Sequence, residues 1–122
     1  MSKVIKVAVI DDEQDILDMI EKYLKRSSGF DVTLFNNPHN AVSRIDKSYD
    51  VVLLDIMMPQ MNGLDVLKSL HDKAPDLKII MMTAYSTLDK VLKSHREGAT
   101  HYIMKPFSSM KALEEKILEL VQ

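Results

Sequence analysis

The sequence predicts an α/β fold, a doubly wound five-stranded parallel sheet of (βα)5 type. Two observations predict it. Short apolar runs alternate along the chain with stretches whose apolar residues recur at helical spacing. Several of the runs are continuously apolar, as in strands buried on both faces, which is how a parallel sheet sits between two layers of helices. Crossovers between such strands are almost always right-handed.

Val4 to Ile10 reads as the first strand, closed by Asp11. Ile16, Leu17, Ile20 and Leu24 then stripe a first helix, with Gly29 as its stop. Phe30 to Phe35 forms a shorter second strand, and Asn37-Pro38 opens a helix carrying Ala41, Val42 and Ile45. Val51 to Leu54 is the third strand, closed by Asp55. After Pro59 and Gly63, the residues Leu64, Leu67 and Leu70 mark the third helix. Leu77 to Met82 is the fourth strand, closed by Thr83. Leu88, Val91, Leu92 and His95 share one face of a fourth helix that Gly98 ends. His101 to Met104 is the fifth strand, followed by Lys105-Pro106, and Met110, Leu113, Ile117, Leu120 and Val121 stripe the last helix.

The 122 residues suffice for one domain over 1–122 and are too few for two. Hydrophobic residues at 46% and charged residues at 28% are ordinary for a globular protein. A net charge of −2 argues against direct nucleic-acid binding, which usually needs a basic excess. The absence of cysteine excludes disulfides, thiolate chemistry and cysteine-bound zinc. No apolar run reaches the length of a membrane span and no signal peptide precedes the first strand, so the expectation is a cytoplasmic location without membrane contact. Gln122 directly follows an amphipathic helix, which fits either a free-standing domain or one cut at a boundary.

The polar strand-end residues carry the chemistry. Ligands in open parallel sheets bind outside the carboxyl ends of the strands, where Asp11, Asp12, Asp55, Thr83 and Lys105 would gather. Each has an ordinary explanation when taken singly. Asp11-Asp12 could cap the first helix, Asp55 could be a loop acid, Thr83 a plain strand residue and Lys105 a solvated one. All of these would have to hold at once at matching strand ends. Two carboxylates about 4 Å apart repel by roughly 4 kcal/mol at an effective dielectric near 20, and a bound cation removes that cost. Oxygen donors select a hard ion. Magnesium uses one or two carboxylates with waters and phosphate oxygens, whereas a calcium cage would need more protein oxygens than these. His39, His71, His95 and His101 have no zinc-ligand spacing and read as surface residues. Met57, Met58 and Met61 read as packing residues.

Four blocks carry a family resemblance: Val-Ile-Asp11-Asp12-Glu, Leu-Leu-Asp55-Ile-Met-Met-Pro59-Gln-Met-Asn-Gly63, Met-Met-Thr83-Ala84-Tyr85, and Gly-Ala-Thr-His-Tyr102-Ile-Met-Lys105-Pro106-Phe107. Together, and in this order, they resemble the receiver domain of two-component response regulators, the group typified by the bacterial chemotaxis regulator. The resemblance implies a flavodoxin-like sheet of order 2-1-3-4-5. It implies that Asp55 accepts a phosphoryl group from a histidine kinase's phosphohistidine or a phosphotransfer protein. Asp12 would ligate Mg2+ directly and Asp11 through water, with Asp55 and the Met57 carbonyl completing the protein ligands. Lys105, Thr83 and the Ala84 N–H would hold phosphoryl oxygens. Pro106 would follow a cis bond that aims Lys105. Thr83 and Tyr102 would form the switch, moving the face made by the fourth helix, fifth strand and fifth helix toward a downstream effector protein or domain. Such a protein catalyses its own phosphorylation and dephosphorylation and is not a turnover enzyme on small substrates.

Departures refine the picture. Asn62 stands where the family more often has aspartate, and it still suits a turn. Thr100 and His101 replace the acid pair that one large transcription-factor subclass uses for a salt-bridged dimer, so the expectation is a monomer or a weak phosphorylation-dependent dimer. Apolar Met57 and bulky Tyr85 should shield the acyl phosphate from water. Two other readings stay open: a binding module that kept the fold and lost the chemistry, against which the complete residue set speaks, and an aspartyl-nucleophile phosphatase, which would want an acid at Met57.

Overall fold

The structure, a computed structural model, describes residues 4–26, 29–56, 58, 62–83, 101–104 and 109–121, and of Thr83, His101 and Met104 the backbone alone. The elements run β1 (Ile5–Ile10), α1 (Gln14–Lys25), β2 (Phe30–Phe35), α2 (Pro38–Arg44), β3 (Val51–Asp55), α3 (Gly63–Lys73), β4 (Lys78–Thr83), β5 (His101–Met104) and α4 (Met110–Val121). The last is the fifth helix of the sequence reading. The helix expected from Leu88 to Gly98 lies outside the described residues.

The five strands form one sheet in the order β2-β1-β3-β4-β5, and every pairing is parallel. Continuous apolar runs fill both faces because strand side chains alternate. Val7, Val9, Val51, Leu53, Ile80 and Met82 pack with Leu17, Ile20 and Leu24 of α1 and with Leu113 and Ile117 of α4. Ala8, Ile10, Val52, Leu54, Ile79 and Met81 pack on the other side with Ala41 of α2 and with Leu64, Leu67 and Leu70 of α3.

Small differences from the sequence reading have local causes. Val4 is 50% exposed, because the register begins with Ile5 opposite Phe30. Leu77 is buried but belongs to the turn after α3, where its N–H donates to the Ala74 carbonyl. Asp55 and Thr83 end their strands from within, since pairing runs one residue further than the apolar run does. Ile45 is buried just past α2, with extended backbone. His39 is exposed, whereas His71 is half-buried on α3, and its Nδ1 has no hydrogen-bond partner among the described residues.

The helix starts are fixed by side chains. The Asn37 carboxamide oxygen accepts from His39 N–H ahead of Pro38, and that of Asn62 accepts from Leu64 N–H at 2.9 Å. Each satisfies a donor that a helix leaves open in its first turn. Ser109 does the same for Ala112 at the start of α4. Among the described residues no helix is long and apolar enough to cross a membrane.

Candidate functional site

In a sheet of order 2-1-3-4-5 the chain leaves β1 toward one edge and β3 toward the other, so a crevice opens between their carboxyl ends. The register sets what lies there. Ile10 is level with Leu54, so Asp11 and Asp55 follow side by side on neighbouring strands. Asp55 is level with Met82, one residue before Thr83, and Thr83 is paired with Met104.

Backbone contacts lock this edge. Asp11 N–H donates to the Phe35 carbonyl at 3.1 Å, and Ile56 N–H donates to the Met82 carbonyl at 3.2 Å. Gly63 N–H donates to the Ile56 carbonyl at 3.0 Å, which brings the start of α3 against the end of β3. A Cβ at Gly63 would lie 2.4 Å from the Asp55 carbonyl oxygen and 2.6 Å from Ile56 Cα. Only glycine permits that approach.

Asp11 and Asp55 are the buried charged residues of the described core, at 0% and 4% exposure. Asp12 is half-buried and Glu13 exposed. An Asp11 carboxylate oxygen accepts from Glu13 N–H at 2.9 Å, a turn that folds the three consecutive acids over the end of β1. Carboxylate oxygens of Asp11, Asp12, Glu13 and Asp55 all lie within 4.8 Å of one another. At that distance each pair repels by roughly 3 kcal/mol at an effective dielectric near 20. The positive end of the α1 dipole offsets part of this. A hard cation offsets more, and the donor set, all oxygen with two members withdrawn from solvent, fits magnesium. Oxygens this close can share one ion, directly or through its waters.

Among the sequence-predicted residues, the structure brings Asp11, Asp12 and Asp55 together. It places the Thr83 backbone at the same edge. Tyr102 is half-buried and packs against the core on the α2–α3 side of the sheet. Lys105, Pro106, Ala84, Tyr85 and Met57 lie outside the described residues, although Lys105 directly follows Met104. Glu13 was not assigned a role from sequence. Its signal was there: β1 and α1 leave only Asp11 to Glu13 between them, so a third consecutive acid had to stand at the same edge.

A cavity of about 460 Å3 lies elsewhere, among Lys47, Asp50, Lys73, Asp76 and Leu120. Its lysines and aspartates offset one another, and Lys73 Nζ is already engaged with the Val42 carbonyl at 3.0 Å. The buried carboxylates, not this cavity, mark the candidate site.

A doubly wound sheet of this order with an acidic crevice between β1 and β3 defines a class, and comparison with known proteins specifies it. Residues 7–118 match the response regulator receiver domain family, and the chain belongs to it. It is 32% identical over 119 residues to the transcriptional regulatory protein FlgR of Helicobacter pylori, covering 93% of this chain and 30% of FlgR. It is 35% identical over 100 residues to the response regulator SaeR of Staphylococcus aureus, covering 82% of this chain and 43% of SaeR. The chain thus spans less than half the length of these curated relatives. A CheY-like response regulator receiver domain protein of Methanospirillum hungatei superposes with a TM-score of 0.85 at 30% identity, over 96% of this chain and 93% of that one. The expected family and fold are both borne out: this is a receiver domain of a two-component response regulator.

Proposed function

We propose that Asp55 is the phosphoacceptor of a magnesium-dependent switch. The observation that carries this is the burial of Asp55 and Asp11 side by side at the carboxyl edge of the sheet, in a chain of this family. A carboxylate oxygen of Asp55 attacks the phosphorus of a phosphohistidine on a kinase or phosphotransfer protein. The phosphorus–nitrogen bond breaks, the imidazole leaves with its electron pair and takes up a proton, and an acyl phosphate remains. Bound Mg2+ supplies charge neutralisation for the phosphoryl oxygens.

The chain's own residues do the rest. Asp12, and Asp11 through water, hold the ion together with Asp55 and the Met57 carbonyl. Lys105 pairs with one phosphoryl oxygen, and Thr83 with the Ala84 N–H binds another. Positioning of this kind supplies most of the catalysis in phosphoryl transfer. The new charge draws Thr83 inward, Tyr102 fills the vacated space, and the surface beside β5 changes shape for an effector protein or domain. That equilibrium moves only by the difference in stability between the two states. We place this switch in the cytoplasm, away from membrane and nucleic acid, in a chain that is monomeric or weakly dimeric when phosphorylated.

Intact-mass measurement after incubation with acetyl phosphate tests the proposal. The expected result is one added phosphoryl group with Mg2+, none with a chelator, and none in Asp55→Ala. Equal labelling of Asp55→Ala would overturn it.

A further inference from the structure

Asn62 and Gly63 form the single Asn-Gly pair of the chain. Such a pair is chemically labile, because glycine carries no side chain to hinder its nitrogen from attacking the preceding carboxamide. The structure holds the pair in a geometry that does not react. The Asn62–Gly63 peptide plane is fixed at both ends: its N–H donates to the Ile56 carbonyl at 3.0 Å, and its carbonyl accepts from Asp65 and Val66 N–H at 2.9 and 3.2 Å. The Asn62 carboxamide oxygen accepts from Leu64 N–H at 2.9 Å, which ties the side chain to the first turn of α3. The Asn62 ψ is 130°, whereas a ring between the Gly63 nitrogen and Asn62 Cγ needs a ψ of opposite sign. Rotation to that value would break these contacts, and Gly63 lies hard against the backbone of Asp55 and Ile56.

We propose that Asn62 is a conformation-gated deamidation site: folding suppresses the reaction, and opening of the β3–α3 corner releases it. In the opened corner the Gly63 nitrogen gives up its proton to solvent and attacks Asn62 Cγ. The new N–Cγ bond closes a succinimide ring. The Cγ–Nδ2 bond breaks, and its electron pair leaves with the nitrogen, which takes up a proton as ammonia. Water then adds to one of the two ring carbonyl carbons, and the bond from that carbon to the ring nitrogen breaks. Addition at Cγ gives aspartate, and addition at the backbone carbonyl gives isoaspartate. Aspartate keeps an oxygen for the Leu64 N–H, and its charge suits the start of α3. Isoaspartate lengthens the main chain by a methylene, so the contacts to Ile56, Leu64, Asp65 and Val66 cannot all re-form. A corner that has opened is thereby marked permanently, against the backbone of Asp55. This inference is independent of the phosphoacceptor reading.

The test incubates the full chain in mildly alkaline buffer, folded or in denaturing urea. The peptide holding residue 62 is followed by its amide-to-acid mass gain and by isoaspartyl methylation. The denatured chain should deamidate at Asn62, and the folded chain at least about 10-fold more slowly, since opening breaks several hydrogen bonds at once. Urea added up to the unfolding midpoint should raise the folded rate. Asn62→Ser, which keeps a capping oxygen and has no amide, should abolish the signal. The isoaspartate-bearing fraction should unfold at lower urea than the unmodified chain. Folded and denatured rates within about 2-fold of each other, or a folded rate indifferent to urea, overturn the gate. A denatured chain that deamidates at Asn36 or Asn40 and not at Asn62 overturns the site. Equal urea midpoints for the two fractions overturn the failure of the corner to re-form.

Discussion

Gly63 is the residue on which the carboxylate edge turns. Its missing Cβ lets the start of α3 rest against the backbone of Asp55 and Ile56. Gly63→Ala should destabilise the fold by about 1–3 kcal/mol, because backbone rather than a flexible side chain must yield. A denaturant midpoint measures the cost. An unchanged midpoint would mean that α3 shifts freely, and Asp55 would then not be held as described. Met57 and Tyr85 act at the same scale. Both residues were expected from sequence to exclude water from the acyl phosphate, and in Met57→Asn and Tyr85→Glu the magnesium-bound phosphoprotein should decay several-fold faster than in the parent. If neither variant changes the decay, shielding by these side chains is not what sets the lifetime.

At the scale of elements, strand chemistry was legible because a buried parallel strand must be apolar throughout, and the first polar residue marks its end. Phe30–Phe35 and His101–Met104 were bounded correctly although Asp31, Thr33 and His101 interrupt their apolar runs, as edge strands allow. The rule failed by one residue at Asp55 and Thr83, since backbone pairing does not depend on the side chain being apolar. Helix starts were legible through Asn37-Pro38 and the turn at Asn62, both of which cap. The approach of the Glu13 carboxylate to the other three was not, because it depends on where a side chain points after a tight turn, and periodicity carries no such information. The turn after α2 offers a separate check. Ser48 donates to the Asp46 carboxylate from its hydroxyl at 2.5 Å and its N–H at 2.8 Å, holding the Asp46 pKa below its ordinary 3.8, with smaller help from Lys6 and Lys73. A depressed folded-state pKa stabilises above the unfolded value, and that contribution disappears as pH falls through the folded one. Carbon-detected titration of Asp46 should give a midpoint under 3.8, and Ser48→Ala should move it back up.

For the whole molecule, the four-carboxylate crevice implies a fold under electrostatic tension that a divalent ion relieves. Mg2+ at about a hundred times its dissociation constant should add roughly 2.7 kcal/mol of stability. Asp12→Asn should be at least as stable as wild type without metal, since it removes repulsion, and should gain little from adding it. A wild-type melting temperature indifferent to Mg2+ would count against the site. The order β2-β1-β3-β4-β5 ties this local chemistry to the fold, because it sets the ends of β1 and β3 side by side. The most direct measurement follows the phosphoryl group itself. Wild-type protein is treated with acetyl phosphate and Mg2+, the acyl phosphate is trapped by borohydride reduction, and the modified residue is located by peptide fragmentation. The account predicts modification at Asp55 alone, dependent on Mg2+ and lost in Asp12→Asn. Modification at another carboxylate, or at Asp55 to the same extent without the ion, would contradict it.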